Sequence, residues 1–164
     1  MPGLADLNAL PAQDFEELLL RCCAAPGWAR EVTEGRPYAS LVDLLAAADA
    51  AWAARDPGDL DAAMAGHPRI GERRLSGWSA QEQAGVQAGT GTDTETVTAL
   101  ADRNAAYEQR FGHVFLICAT GRGPAEILAE LNHRMSNDPA TEREVAVAEI
   151  GKINDIRLRK LVTA

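Results

Sequence analysis

The chain has 164 residues, of which 46% are hydrophobic and 24% are charged. These values are typical of one globular domain that buries its own core, and they argue against a disordered or fibrous protein. The formal net charge of −8 opposes binding to nucleic acid phosphates and to anionic membrane surfaces. We therefore expect a single domain over residues 1–164.

Neither a secretory signal nor a membrane span is predicted. The start, Met1 to Asp6, lacks a basic segment before an apolar run, and no apolar stretch approaches the roughly 20 residues that span a bilayer. The three cysteines, Cys22, Cys23 and Cys118, cannot all pair, so a disulfide framework is not expected. No Cys or His spacing is typical of a zinc site. We expect a cytoplasmic protein without a metal.

An all-α fold is expected, because alanine and leucine are frequent and Gly and Pro divide the chain into helix-sized pieces. We predict a single compact domain of about seven to nine helices. In chain order, helices are expected from Pro11 to just before Ala25, from Trp28 to Gly35, from the N-cap Ser40 through Trp52, from Pro57 to Ala65, from Ser79, from Glu95 to Arg110, from Pro124 to near Asn137, and from Thr141 to Val162.

Caps and turns define several of these boundaries. Gly66 and Gly112 each follow a helical stretch, and each is expected to end its helix, Gly66 in a left-handed conformation. Ser79 to Glu82 and Thr141 to Glu144 have the Ser/Thr-x-x-Glu spacing of a capping box. This spacing predicts the start of a helix at both places.

Three segments lack helical periodicity. Residues 69–78 and 89–94 are rich in Gly and polar residues, so loops are expected there. Phe115 to Ala119 is a short apolar run that could form a buried strand or a buried extended connection. Because no partner strand is predicted, we expect the connection.

His67 is the first candidate for chemistry. It precedes Pro68 just after a predicted helix end, so its backbone is expected to be extended and its ring can face a cleft. A structural loop histidine would also fit this position, and the residues alone favour that alternative. His113 and His133 are expected to be structural.

The segment Ser79 to Gln83 is the second candidate. A capping box alone would explain Ser79 and Glu82, since both side chains would then satisfy backbone donors. The same arrangement would also aim the first amide groups of the helix at a ligand, preferably an anionic or carbonyl-bearing one. The structural and binding roles can coexist.

Arg157 is the third candidate, because it lies at the centre of an apolar stripe on the last predicted helix. That stripe contains Ala146, Ile150, Ile153 and Leu161. A buried guanidinium needs an anionic partner, since burying an unpaired charge is costly. The partner could be an acidic residue of the chain or the carboxylate of a substrate, and the residues alone leave both alternatives open.

Several short motifs follow one another along nearly the whole chain. They are Arg36-Pro37-Tyr38, His67-Pro68-Arg69-Ile70-Gly71, Ser79-x-x-Glu82-Gln83-x-Gly85, Asn104-x-x-Tyr107, Phe111-Gly112-x-x-Phe115-x-Ile117-Cys118-Ala119 and Arg157-Leu158. Each motif alone is weakly specific. Together they resemble the 2-oxo-4-hydroxy-4-carboxy-5-ureidoimidazoline (OHCU) decarboxylase family.

The resemblance implies a compact all-α enzyme, often dimeric, that uses no cofactor and no metal. The expected substrate is the small molecule OHCU, which follows urate oxidation and hydrolysis, and the expected products are CO2 and (S)-allantoin. We therefore expect a cytoplasmic homodimer that acts in urate breakdown, with neither nucleic acid nor a membrane as a partner.

The resemblance also implies which residues form the site. The catalytic residues fall on His67, as the proton donor, and on Glu82. The substrate-binding residues fall on Pro68, Ser79, Ala80, Gln81, Glu82, Gln83, Leu116, Ile117, Cys118, Ala119, Thr120 and Arg157. The stretch from Thr120 to Arg122 varies within the family, so contacts through the backbone are expected there.

Two other classes of function remain as alternatives. A different small-molecule lyase or hydrolase could use the same His67 and Glu82, and a substrate panel that includes fresh OHCU would distinguish it. A non-catalytic helical binding module is the second alternative. It would be favoured if a folded His67→Ala variant left urate breakdown unchanged.

Overall fold

The computed structural model describes residues 3–70, 77–85 and 94–163, and every regular element in these ranges is an α-helix. This confirms the predicted all-α fold. The nine helices of the described residues are α1 (Leu4–Ala9), α2 (Ala12–Cys22), α3 (Pro26–Glu34), α4 (Leu41–Ala53), α5 (Pro57–Gly66), α6 (Gly77–Glu82), α7 (Thr94–Phe111), α8 (Pro124–Arg134) and α9 (Pro139–Thr163). None of these helices combines the length and the apolar character needed to cross a bilayer.

The described residues group into two compact units. The first unit contains the residues up to Gly66 together with those from Gly151 onward, and the second unit runs from His67 to Ile150. Helix α9 therefore contributes its first part to the second unit and its last part to the first unit. The prediction of one domain over the whole chain stays a prediction.

Helix α3 is central to the first unit, where it packs against α2, α4 and α5. Trp28 on α3 is buried, and its indole Nε1 donates a hydrogen bond to the Ala48 carbonyl on α4 at 3.0 Å. This bond satisfies the one polar group of a large apolar side chain. Further buried apolar residues of the first unit are Leu7, Phe15, Leu19, Val32, Leu44, Trp52, Leu60, Ile153 and Leu158.

A side chain from another helix caps the N-terminus of α3. Asp59 on α5 accepts hydrogen bonds from the backbone N–H groups of Gly27 at 3.0 Å and of Trp28 at 2.9 Å. Both amides belong to the first turn of α3 and have no acceptor within the helix. Asp59 is only 6% exposed, so water cannot easily replace it.

We expect Asp59→Ala to lower the free energy of unfolding by about 2–3 kcal/mol, because one buried and one partly buried amide lose a charged acceptor. The measurement is chemical denaturation monitored by circular dichroism. Asp61 on the same helix is exposed, and Asp61→Ala should change stability by about 0.5 kcal/mol or less. Equal stability of the two variants would contradict the capping role.

In the second unit, helix α7 packs against α8. The core of this unit contains Ile70, Leu100, Tyr107, Phe115, Ile117, Ala119, Ile127 and Leu131. Phe115, Ile117 and Ala119 lie on the connection between α7 and α8, and Leu116 on the same connection is also buried, at 3% exposed. The apolar run in the sequence therefore holds the connection against the core.

Several helix boundaries agree with the predictions. Ser40 caps α4, since its side chain accepts a hydrogen bond from the Asp43 backbone N at 3.1 Å. Gly112 follows α7 with a φ of 79°, a left-handed conformation that glycine adopts without steric cost. The run from Phe115 to Ala119 is an extended connection and forms no strand pairing among the described residues.

Other boundaries differ from the predictions. Helix α1 is not among the predicted helices, and α3 begins at Pro26 rather than at Trp28. Gly66 is the last residue of α5, and its φ is not positive as the left-handed ending requires. Close packing explains the glycine instead, since an added Cβ would lie 2.8 Å from the Cβ of Ala24.

Both predicted capping boxes are wrong. Ser79 lies within α6, and Glu82 is the last residue of that helix instead of belonging to its first turn. Helix α9 begins at Pro139, and the Asp138 carboxylate accepts a hydrogen bond from Thr141 N at 2.9 Å. Asp followed by Pro is a stronger start signal than the Thr-x-x-Glu spacing after it, because both residues suit the first helical positions.

The two predicted loops are only partly described. Residues 71–76 and 86–93 lie outside the described residues. At the end of the first predicted loop, Gly77 and Trp78 belong to α6, and at the end of the second, Thr94 is the first residue of α7.

Candidate active site

His67 begins the second unit directly after α5, and it is 8% exposed. The segment that follows it is attached to α7 at two points. The Ile70 carbonyl accepts a hydrogen bond from Asn104 Nδ2 at 3.1 Å, and Arg69 Nη2 donates to Glu108 Oε2 at 2.8 Å. A proline after His67 further restricts the backbone of the histidine. The contacts of Arg69 and Ile70 with α7 therefore fix the backbone that follows His67.

Helix α6 and the residue that follows it supply the second group of predicted site residues, Ser79 to Gln83. Glu82 and Gln83 at its end are 7% and 4% exposed, respectively. Gln83 Nε2 donates a hydrogen bond to the Arg69 carbonyl at 3.3 Å. This contact ties the end of α6 to the segment that contains His67 and Pro68.

The third group, Leu116 to Thr120, is the extended connection between α7 and α8. Two buried charged side chains hold its backbone. Arg134 Nη1 on α8 donates to the Leu116 carbonyl at 2.6 Å, and Glu149 Oε1 on α9 accepts from the Cys118 backbone N at 3.3 Å. Side chains thus replace the hydrogen bonds that a partner strand would supply.

Arg134 belongs to a buried polar cluster that we call the Arg134 cluster, formed by Arg134, Glu142, Tyr107 and Asn137. Glu142 is 0% exposed and Arg134 is 1% exposed. Glu142 Oε1 accepts from Arg134 Nε at 2.7 Å and from the Tyr107 hydroxyl at 2.5 Å, while Oε2 accepts from Asn137 Nδ2 at 3.0 Å. Burial and the bond to Glu142 raise the pKa of Tyr107 far above its usual range, so it remains a neutral donor.

The charge of Glu82 influences the thiol of Cys118 on the extended connection. Burial raises the pKa of the Cys118 thiol, and the negative charges of Glu149 and Glu82 raise it further, against the hydrogen bonds to Thr120. For Glu149, the hydrogen bond from the Cys118 backbone N agrees with this effect. The thiol is kept protonated and is a poor nucleophile.

A backbone contact also joins Gly85, three residues after the end of α6, to the turn after the connection. A Cβ added at Gly85 would lie 2.6 Å from the Arg122 carbonyl oxygen. Three of the predicted groups, His67-Pro68, Ser79 to Gln83 and Leu116 to Thr120, are thus connected within the second unit. They combine a buried imidazole, a buried carboxylate and a held backbone segment, which suits proton transfer to and from a small polar substrate.

Arg157 lies in the first unit, on the last part of α9, and is 6% exposed. Its Nη1 donates a hydrogen bond to the Cys22 carbonyl at 2.9 Å. Burial raises the pKa of the neighbouring Cys23 to about 11, although the charge of Arg157 acts in the opposite direction. The burial of Arg157 agrees with the sequence pattern, and its carboxylate partner stays a prediction.

The described residues contain no group of three or more His, Cys, Asp or Glu side chains placed to hold a metal ion.

Sequence reasoning did not identify Glu149, Arg134 or Glu142 as supports of the site. A signal was present for all three. Glu142 and Glu149 follow the same three- and four-residue spacing on α9 that includes Ala146 and Arg157, and both are buried. A charged residue in such a stripe, whether acidic or basic, indicates that a buried polar or charged group lies against it. Arg134 shows the same signal on α8, because it follows Ile127 by seven residues and Leu131 by three, and all three are buried.

Comparison with known proteins identifies a matching family and several similar proteins. Residues 8–159 match the family described as OHCU decarboxylase. The chain is 31% identical to a 2-oxo-4-hydroxy-4-carboxy-5-ureidoimidazoline decarboxylase of Amia calva, over 97% of this chain and 94% of that protein. It is also 31% identical to the uric acid degradation bifunctional protein TTL of Arabidopsis thaliana, over 85% of this chain and 45% of that protein. The chain thus spans less than half of the plant relative.

Two solved structures also resemble the fold of this chain. A crystal structure of OHCU decarboxylase in the presence of (S)-allantoin matches with a TM-score of 0.80 and 30% identity, over 91% of this chain and 99% of that chain. A crystal structure of (S)-allantoin synthase matches with a TM-score of 0.70 and 18% identity, over 96% of this chain and 53% of that chain. The second likeness concerns the fold alone.

Proposed function

The chain belongs to the OHCU decarboxylase family, and from this membership we propose that it converts OHCU into (S)-allantoin and CO2 in urate breakdown. The observation that carries the proposal is the likeness over nearly the full length of two relatives, the Amia calva decarboxylase and the OHCU decarboxylase crystal structure. The buried His67 and Glu82 supply the acid and base groups that the reaction needs.

The substrate itself can accept the electrons that decarboxylation releases. When the bond to the carboxylate breaks, its electron pair moves into the ring, where an adjacent C=N accepts it. The ring nitrogen and the new stereocentre each gain a proton, and the hydroxyl loses one as it becomes a carbonyl. No pyridoxal or thiamine cofactor is required for this step.

We assign the proton donation to His67. An imidazole has a reference pKa of about 6.5, so it can donate a proton and regain it near neutral pH. The attachment of the following segment to α7 supports this role, because a donor must keep a fixed direction to protonate one face of a planar carbon. The product would then be a single enantiomer.

We assign the hydroxyl proton to Glu82. A carboxylate can accept that proton while the carbonyl forms. Pro68, the residues from Ser79 to Gln83 and the backbone from Leu116 to Thr120 would surround the remaining polar groups of the substrate. The hydrogen bonds to Leu116 and Cys118 support this assignment, since a held backbone loses little entropy on binding a ligand.

We assign the substrate carboxylate to Arg157, and Arg157→Lys should therefore raise KM by about tenfold while kcat falls less, because lysine keeps the charge without the planar fork. Steady-state kinetics with freshly generated OHCU would measure this effect. Arg159→Lys is a matched control, since Arg159 is exposed on the same helix. An unchanged KM for Arg157→Lys would argue for a purely structural role.

The proposed function is tested by the chirality of allantoin. Urate oxidation and 5-hydroxyisourate hydrolysis would generate OHCU, and circular dichroism would follow the product with and without this protein. We expect rapid formation of the (S) enantiomer with the protein and slow formation of a racemate without it. Equal rates and a racemic product in both reactions would overturn the proposal.

We further propose that the enzyme works as a cytoplasmic homodimer. Cys22, Cys23 and Cys118 are all free thiols in the structure, which suits a reducing compartment. Analytical ultracentrifugation of the purified protein would test the dimer.

A further inference from the structure

The extended connection between α7 and α8 has two backbone edges. In an extended chain, the N–H and C=O groups of alternate residues point to the same edge. Leu116 and Cys118 therefore share one edge, and Ile117 belongs to the other. The two side chains that hold the connection, Arg134 and Glu149, both bind the edge of Leu116 and Cys118.

Glu149 is 5% exposed, and burying a carboxylate is costly unless it accepts hydrogen bonds or pairs with a cation. Its bond to the Cys118 N–H joins residues that are 31 positions apart in the chain. The effect of Glu149 on the Cys118 thiol gives a second, electrostatic sign of the same proximity. The carboxylate thus acts on the connection in the middle of the predicted substrate-binding residues.

We propose that Glu149 is a positioning residue for the substrate-binding connection. Its carboxylate holds the Cys118 N–H, which fixes the register of the extended chain and turns the opposite edge, with the polar groups of Ile117, toward the substrate. The inference rests on the proposed function. It concerns binding, because Glu149 acts through the backbone of Cys118.

Two substitutions separate the acceptor from the charge. Gln keeps an oxygen that can accept the Cys118 N–H, whereas Met has a similar length and offers no oxygen. We expect Glu149→Gln to keep KM within about threefold of wild type and Glu149→Met to raise it by about tenfold or more, with a smaller change in kcat.

Hydrogen exchange supplies a readout that does not depend on activity. The Cys118 amide, followed by NMR, should stay protected in Glu149→Gln and should lose protection in Glu149→Met. The dissociation constant of (S)-allantoin, measured by calorimetry, should follow the same order as KM. Glu144 is exposed on the same helix, so Glu144→Gln and Glu144→Met should leave all three measurements unchanged.

A folded Glu149→Met variant with wild-type KM would overturn the inference, and so would a Glu149→Gln variant as impaired as Glu149→Met. If Glu149→Met does not fold, Glu149→Gln decides alone. A KM raised by about tenfold together with lost protection of the Cys118 amide in Glu149→Gln would contradict the acceptor role. Wild-type protein that yields only racemic allantoin would instead overturn the proposed function. The two failures are therefore distinguishable.

Discussion

Replacing His67 by asparagine should lower the catalysed rate by about 10²- to 10⁴-fold, toward the rate of spontaneous decarboxylation. Asparagine keeps a polar side chain of similar shape but cannot donate a proton as an acid. Water would then protonate both faces of the planar carbon, and the product should be racemic. Circular dichroism at early times would measure both the rate and the enantiomeric excess.

His133 provides the matched control for this experiment, because it is an exposed histidine on α8. His133→Asn should keep the wild-type rate and the excess of the (S) enantiomer. The His67→Asn variant should also unfold at nearly the wild-type temperature and still bind (S)-allantoin, which separates lost chemistry from lost structure. If it produced (S)-allantoin at the wild-type rate, His67 would not be the proton donor.

Glu142→Ala should reduce the free energy of unfolding by about 3–5 kcal/mol, because it leaves the Arg134 guanidinium buried without its carboxylate. The loss would be large for a domain whose total stability is about 5–15 kcal/mol. It should also weaken substrate binding, since Arg134 holds the Leu116 carbonyl. Chemical denaturation would measure the change in stability. Steady-state kinetics would measure the change in KM.

The effect depends on burial, and Glu144→Ala tests this dependence. Glu144 lies on the same helix but is exposed, and its replacement should change stability by about 0.5 kcal/mol or less. Glu142→Gln should lie between wild type and Glu142→Ala, because it keeps the shape and one acceptor oxygen but loses the charge. A Glu142→Ala variant as stable as the control would show that the buried pair contributes no net stability.

Much of the fold could be predicted from local signals. Ser40 and Gly112 mark helix ends through their own chemistry, a hydroxyl acceptor and a backbone that tolerates positive φ. The apolar spacing around Arg157 predicted its burial, which the structure confirms. Each of these features depends on residues within a few positions of one another, so the sequence alone contains the necessary information.

The errors arose where local signals compete or where a distant residue supplies the partner. Ser79 to Glu82 has the spacing of a capping box, yet α6 already includes Ser79. Asp59 caps α3 by accepting a hydrogen bond from the backbone N–H of Trp28, which lies 31 residues earlier in the chain. No local sequence pattern predicts such a contact. Position 66 requires a glycine because a Cβ there would lie too close to the Cβ of Ala24. A left-handed backbone conformation is not the reason.

The sequence by itself determined the helical class, the order of most helices and the family, through motifs spread along nearly the whole chain. It also predicted which residues to test, although their roles remain proposals. The tertiary structure alone decided how the connection from Leu116 to Thr120 is held, because Arg134 and Glu149 reach it from 18 and 31 residues away. Helical periodicity shows that a side chain is buried, but the identity of its partner depends on which distant segments pack together.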